Sequence, residues 1–219
     1  RQLIEGWDLD FVVELVRNAG QQCRQRGLPF TFVLEDATRS APRAIAALLH
    51  AAMDEGATRA VLCDTAGHAT PDGLRNLLSF VRGVTTAYGV ELQLDWHGHN
   101  DRGLALTLAL EALNLGVDRV HATCLGVGER VGHTSLDQLL INLKLLGFVE
   151  RDVTSLAPYV RYVSSALGVP IPRDYPVFGR DAFRTATGVH AAAVSKALAA
   201  GRERLADQVF SSVPASLFG

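Results

Sequence analysis

The sequence is poor in the residues that staple or anchor a chain. It holds three cysteines, one methionine and two tryptophans in 219 residues. Cys23, Cys63 and Cys124 are odd in number, widely spaced and never in a C-x-x-C pattern. That excludes a disulfide framework and sets the expectation of reduced thiols in a cytoplasmic protein. Charge of one sign is lacking too: 21 basic residues meet 23 acidic ones, for a net charge of −2 and a pI near 6.4. Such a balance leaves no electrostatic footprint for nucleic acid or an anionic membrane. No apolar run approaches the roughly 18 residues of a membrane span. The opening, Arg1-Gln2-Leu3-Ile4-Glu5-Gly6-Trp7, reads as neither a signal nor a transit peptide. A dinucleotide fingerprint is also missing, because the third glycine of Gly126-Val127-Gly128-Glu129-Arg130-Val131-Gly132 comes one place late. What remains is ordinary globular composition, 48% hydrophobic and 20% charged, in a chain long enough to bury a core.

Four strand–helix units repeat at intervals of about thirty residues. Strand-like runs at residues 30–34, 60–63, 91–99 and 119–124 alternate with amphipathic helical patterns starting near Pro42, Pro71, Gly103 and Thr134. Thr70 and Pro71 carry a helix-start signal. Cys63 and Cys124 fall in apolar runs and read as buried packing. Strands and helices alternating in this way imply parallel pairing through crossovers, in an open sheet or in a (β/α) barrel. A helix over roughly 8–26 precedes the first strand. A closed barrel needs eight strands and typically about 250 residues, so the chain reads as the C-terminal half of a (β/α)8 TIM barrel. The barrel half is expected over residues 1–147. A small α-helical subdomain is expected over 148–219, with helices near 156–167 and 190–200 around a proline-rich link at 169–176.

Polar residues gather where each strand stops: Glu35, Asp36 and Arg39; Asp64, Thr65 and His68; His97, His99, Asn100 and Asp101; Glu129, Arg130 and His133. In a parallel barrel these ends converge on one mouth, where barrel enzymes keep their chemistry. His97 and His99 are two residues apart on an extended strand and so point to the same side. Two imidazoles on one side of a strand suit two cis ligands of a divalent ion, Zn²⁺, Mn²⁺ or Fe²⁺ better than Mg²⁺. His133 is a third candidate ligand. Glu129-Arg130 reads either as a surface ion pair or as a pair ordering the loop beside the metal. His121 reads as structural, His50 as solvent-facing, and His190 starts a helix.

His97-Gly98-His99-Asn100-Asp101-Arg102-Gly103 resembles the HxHNDxG signature of the 2-isopropylmalate synthase/homocitrate synthase family. Residues 126–132 resemble its G-x-G-E-R-x-G, Glu35-Asp36-Ala37-Thr38-Arg39-Ser40 its E-D-x-x-R-[ST], and Asp64-Thr65-Ala66-Gly67 its D-T-x-G. Four motifs in order, at four successive strand ends, cover residues 1–150, and 177–190 extend the likeness loosely. The resemblance implies a (β/α)8 barrel that condenses acetyl-CoA with a small 2-oxo acid and uses a divalent metal ion (Zn, Mn or Mg). It implies His97 and His99 as metal ligands, with His133 kept as the third candidate ligand, Thr65 as a substrate contact, and Glu35 and His190 as catalytic residues. His190 would serve proton transfer, often in the partner subunit's site, which implies a homodimer. His133 stands where many relatives have asparagine. The family's opening D-R-[DE]-G, which would supply an aspartate ligand, is absent here, so this stretch is expected to be inactive alone. Homocitrate synthases favour an arginine in the strand before E-D. Here that strand reads Thr31-Phe32-Val33-Leu34, which favours an apolar acceptor, 2-oxoisovalerate, and a place in leucine biosynthesis. Homocitrate and citramalate synthases, a hydroxymethylglutaryl-CoA lyase type and a non-catalytic half-barrel subunit are the alternatives.

Overall fold

Residues 4–218 are described by a computed structural model; Arg1 to Leu3, part of the opening read above, and Gly219 lie outside them. The chain divides into two units, Arg1–Thr134 and Ser135–Gly219.

The first unit is built on four parallel strands in chain order: β1 (Thr31–Leu34), β2 (Arg59–Asp64), β3 (Gln93–Gly98) and β4 (Arg119–Val120). Helices α1 (Leu9–Gln25), α2 (Pro42–Asp54), α3 (Pro71–Tyr88) and α4 (Ala105–Asn114) alternate with them. This is half of the strand–helix repeat of a (β/α)8 barrel. The starts are coded locally. The Asp8 carboxylate accepts from Phe11 N at 2.8 Å to cap α1, and Thr70 Oγ1 accepts from Gly73 N at 3.1 Å to cap α3. Gly89, at φ +77°, ends α3 in the left-handed conformation that glycine adopts most readily.

Side chains along a strand alternate between faces. Phe32 and Leu34, Ala60 and Leu62, and Leu94 and Trp96 face the helices, where they pack with Ile45, Leu49, Leu74, Leu78, Val81 and Leu108. Trp96 and Leu62 are wholly buried. Full burial of a side chain this large stabilises by roughly 1.5–3 kcal/mol, so this layer holds the half-barrel together. The opposite face carries Thr31, Val33 and Glu35; Arg59, Val61, Cys63 and Thr65; and Gln93, Asp95, His97 and His99. The fourth strand is shorter than its sequence suggests. His121 N still donates to Trp96 O at 2.9 Å, but Thr123 N turns to Thr134 O at 3.1 Å, and Leu125 adopts φ +58°. The returning segment has captured the backbone that would have extended the ladder.

In the second unit, α5 (Leu136–Leu145), α6 (Leu156–Leu167), α7 (Gly188–Ala199) and α8 (Glu203–Gln208) follow. Ile141 of α5 packs there with Val153, Leu156, Phe178 and Phe218. Tyr175 donates its hydroxyl to the buried Asp137 carboxylate at 2.8 Å. Among the described residues no helix is long and apolar enough to cross a membrane.

Candidate metal centre

Register builds the site. Leu34 pairs with Leu62, Cys63 with His97, and Trp96 with Val120. One step further along each strand, Glu35, Cys63, His97 and His121 form a transverse row on the face away from the helices. Neighbouring strands lie about 4.8 Å apart, which puts the backbones of Glu35 and His97 about 10 Å apart. Burial, and secondarily the Glu35 carboxylate, push the Cys63 thiol up to about 11, so it is a packing residue at neutral pH.

His97 stands among three other imidazoles. Its ring centre lies 5.2 Å from that of His99, 5.3 Å from His133 and 5.7 Å from His121; His99 and His133 are 5.8 Å apart. The last two are joined by an isolated antiparallel bridge. Imidazoles bound to one ion at about 2.1 Å, with ligand angles of about 90–120°, have ring centres roughly 4.6–5.6 Å apart. Two of the three pairs fall in that window and the third lies just beyond it. Burial, and then the His133, His99 and His121 rings, pull His97 down to about 4. Burial and His99 also lower His133. Both are neutral at pH 7, the form in which imidazole ligates. Nδ1 of His99 and Nδ1 of His133 are buried without a hydrogen-bond partner, whereas buried nitrogens are ordinarily paired. The donor chemistry therefore fits a divalent ion. The donor atoms are not drawn together into a finished cage, and among the described residues no such group of three histidine, cysteine or carboxylate side chains is found.

Three loops are clamped around this cluster. Arg130, at φ +55°, donates Nε and Nη2 to Asp101 at 2.9 Å each, and Nη2 also to Thr65 O at 2.7 Å. It thereby ties the loops after β2, β3 and β4 to one another. Its hydrogen bonds hold the Asp101 carboxyl below the usual range. The loop-ordering partner of Arg130 is thus Asp101. Glu129 is 3.9 Å away with its side chain 84% exposed. Gly67, at φ +59°, packs against Asp101 so closely that a Cβ would lie 2.8 Å from Asp101 N. A Cβ on Gly128 would lie 2.6 Å from Cδ2 of His133, so this glycine makes room for the ring. Gly98, between the two histidines, leaves space for the Trp96 indole on the other face.

The remaining expected residues take distinct places. Thr65 Oγ1 accepts from Asp36 N at 2.8 Å, which joins the loops after β1 and β2 and leaves its O–H to donate. Glu35 is exposed at the end of β1. His190 lies in the second unit, in the first turn of α7, stacked on Phe210 at 3.9 Å. Asp64 is wholly buried and serves its own loop, accepting from Thr38 Oγ1 at 2.7 Å, His68 N at 2.9 Å and Ala69 N at 3.1 Å. His50 is half-buried and stacked on Tyr88 at 4.7 Å. One residue of consequence escaped the sequence reading. Asp95, 1% exposed, binds Arg59, lies 3.8 Å from Arg119 Nη1, and meets His121 Nε2 at 3.3 Å. It forms an ionic layer beneath the histidines. Stepping back two residues from His97 along the strand would have found it.

Known proteins converge on the same description. Residues 5–159 match the HMGL-like family profile. The chain is 34% identical over 197 residues to 2-isopropylmalate synthase of Solidesulfovibrio magneticus, covering 84% of this chain and 37% of that protein. It is 37% identical over 176 residues to homocitrate synthase of Saccharolobus solfataricus, covering 78% and 36%. The chain thus spans a little over a third of these relatives' length. The crystal structure of the Bacillus subtilis HMG-CoA lyase shares the fold at a TM-score of 0.66 and 17% identity, over 78% of this chain and 60% of that one. With its half-barrel, its four strand-end motifs and this breadth of match, the chain belongs to the HMGL-like family.

Proposed function

We propose that the whole protein is an acetyl-CoA-dependent acyltransferase that condenses acetyl-CoA with a small 2-oxo acid. We take the barrel half to residue 147 and the helical subdomain from 148 to 219. The observation that carries this reading is the cluster of imidazoles at the end of β3, braced by the Arg130 clamp. The acetyl methyl gives up a proton to a base, its carbon bonds to the keto carbon, the keto oxygen takes a proton, and water cleaves the thioester to release CoA.

His97, His99 and His133 would hold the divalent ion, whose Lewis acidity would polarise the 2-oxo acid carbonyl. Glu35, in the same row as His97, would accept the methyl proton. The Thr65 hydroxyl, oriented by Asp36 N, offers its O–H to the 2-oxo acid. To His190 we assign proton transfer, on the strength of the resemblance. The motif context also supports a homodimer, which light scattering of the full-length protein would test.

An apolar acceptor, 2-oxoisovalerate, is supported by the inner face itself. Val33 is 58% exposed there, and both cations on that face, Arg59 and Arg119, are directed at Asp95. Among the described residues a distal carboxylate would find no uncommitted cation on that face, and leaving a buried charge unpaired is costly. The test is thiol release by the full-length protein across a panel of 2-oxo acids. Release only with both a 2-oxo acid and a divalent ion, fastest with 2-oxoisovalerate and abolished by His97→Ala, is expected. Preference for 2-oxoglutarate would overturn the acceptor assignment, and undiminished release by His97→Ala would overturn the site.

A further inference from the structure

On the helix side of the sheet, a cavity of about 600 Å³ opens between the first turns of α2 and α3. Its size suits one small molecule. One wall is a stripe of α3 at helical spacing, Gly73, Asn76, Leu77 and Phe80; the other is Pro42 and Ile45 of α2. At 1.5 Å of rise per residue, the stripe from Gly73 to Phe80 is about 10 Å long. None of Glu35, Thr65, His97, His99 and His133 lines this cavity.

The hydroxyl groups of the lining are already engaged. Thr38 Oγ1 donates to Asp64 at 2.7 Å, Ser40 Oγ donates to Asp36 O at 2.9 Å, and Thr70 Oγ1 accepts from Gly73 N at 3.1 Å. Arg102, exposed at the rim, differs. Its Nη1 donates to His68 O at 2.9 Å, and among the described residues no carboxylate pairs with it. Nε and Nη2 are left for a guest, and a guanidinium grips a carboxylate through two parallel N–H groups. Among the described residues, no aspartate or glutamate lines the cavity. An ammonium group brought in by a guest would therefore go unpaired, and one guanidinium leaves a phosphate dianion half neutralised. An apolar trough with a single cation at its rim matches a monoanion.

We propose that this cavity is a binding site for a small monocarboxylate whose apolar body is about 10 Å long, with the carboxylate on Arg102 and the body against Ile45, Leu77 and Phe80. Arg102 follows Asp101, which Arg130 holds, and His68 follows Gly67, which packs against Asp101. A bound carboxylate thus bears on two of the loops that brace the histidine cluster. The site goes beyond the condensation proposed above and does not depend on its metal.

Calorimetric titration of the full-length protein with 4-phenylbutanoate tests this. The carboxylate should bind. The neutral 4-phenylbutanamide and the cationic 4-phenylbutylamine should bind at least about tenfold more weakly, a comparison that needs no variant. Arg102→Gln should weaken 4-phenylbutanoate binding by a similar factor. Gly73→Leu provides a second variant that leaves the charge intact. A Cβ there would meet only Thr70 Oγ1, at 3.3 Å, so the new side chain occupies the cavity and should also exclude the ligand. His97→Ala should bind 4-phenylbutanoate as wild type does. Absence of binding, equal affinity for the amide, or affinity unchanged in both Arg102→Gln and Gly73→Leu would overturn the proposal. Loss of binding in His97→Ala would overturn it too, by placing the acid at the histidine cluster instead.

Discussion

Two glycines of the Gly126–Gly132 loop should respond to the same substitution in opposite ways. A methyl group on Gly128 would sit 2.6 Å from Cδ2 and 3.1 Å from Nε2 of His133, and the backbone there is not in the left-handed region. Comfortable carbon contacts lie at about 3.5–4.0 Å, so the ring must retreat by about 1 Å. A ring at the end of a side chain can do so. Gly128→Ala should therefore change stability by less than about 1 kcal/mol, within the range of ordinary surface substitutions. The ring it displaces is a proposed ligand, and a misplacement of about 1 Å can cost on the order of 10²-fold in rate. Gly132 is at φ +78°, and its Cβ would overlap the carbonyl oxygen of Gly126, the acceptor for His133 N. There the obstacle is backbone. The left-handed conformation costs an alanine about 1–2 kcal/mol, and loss of the His133 N–H bond about another 1 kcal/mol. Gly132→Ala should lower stability by about 2–3 kcal/mol. Urea unfolding midpoints and thiol release, measured on both variants of the full-length protein, separate the two outcomes. If Gly128→Ala keeps wild-type metal affinity and wild-type CoA release, the loop does not position His133 and the reasoning is wrong.

Three further outcomes follow from the same geometry. Arg130→Lys keeps the charge but loses the two-pronged grip on Asp101 and Thr65; amide exchange should rise in residues 65–68 and 99–103, and unchanged protection would refute the clamp. At pH 8 Cys63 should resist iodoacetamide while the half-buried Cys23 reacts, since a thiol pushed up to about 11 holds roughly a thousandth of its population as thiolate; equal labelling by mass spectrometry would contradict the burial. His97, pulled down to about 4, refuses a proton that the unfolded chain accepts near 6.5; the metal-free protein should therefore lose stability as pH falls through that window and level off below about 4, and His97→Gln should flatten the curve. Identical pH dependence in the two proteins would show that His97 is not the group involved.

Much of the fold is legible because its causes are local. Thr70 and Pro71 start α3 where a side-chain oxygen and a preset φ favour a helix, and the apolar stripe at Leu74, Leu78 and Val81 buries as its spacing predicts. The end of β4 is not legible, because it is decided by Thr134, eleven residues downstream of Thr123, which takes the amide the ladder would have used. Positive φ at Asp36, Leu125 and Arg130 is hidden for a related reason. Glycine advertises such positions and these residues do not, so only the bonds that hold them reveal the turn.

The site shows how far strand parity can be pushed. Asp64, at the end of β2, and Asp95, midway along neighbouring β3, are both buried acids. Composition cannot tell them apart, but alternation can. Asp64 shares its face with Leu62 and Ala60, on the helix side, and its carboxylate accordingly ties down the loop at Thr38, His68 and Ala69. Asp95 shares its face with His97 and His99, and its carboxylate meets Arg59, Arg119 and His121 under the imidazoles. Counting by two from a single histidine thus separates a loop brace from a member of the site's own layer. It does not supply the energetics. The orphaned Nδ1 atoms of His99 and His133 lie on segments more than thirty residues apart, brought together by the bridge between them. Only when those segments meet are both nitrogens buried without a partner, and that supports the proposed metal centre over four separate histidines.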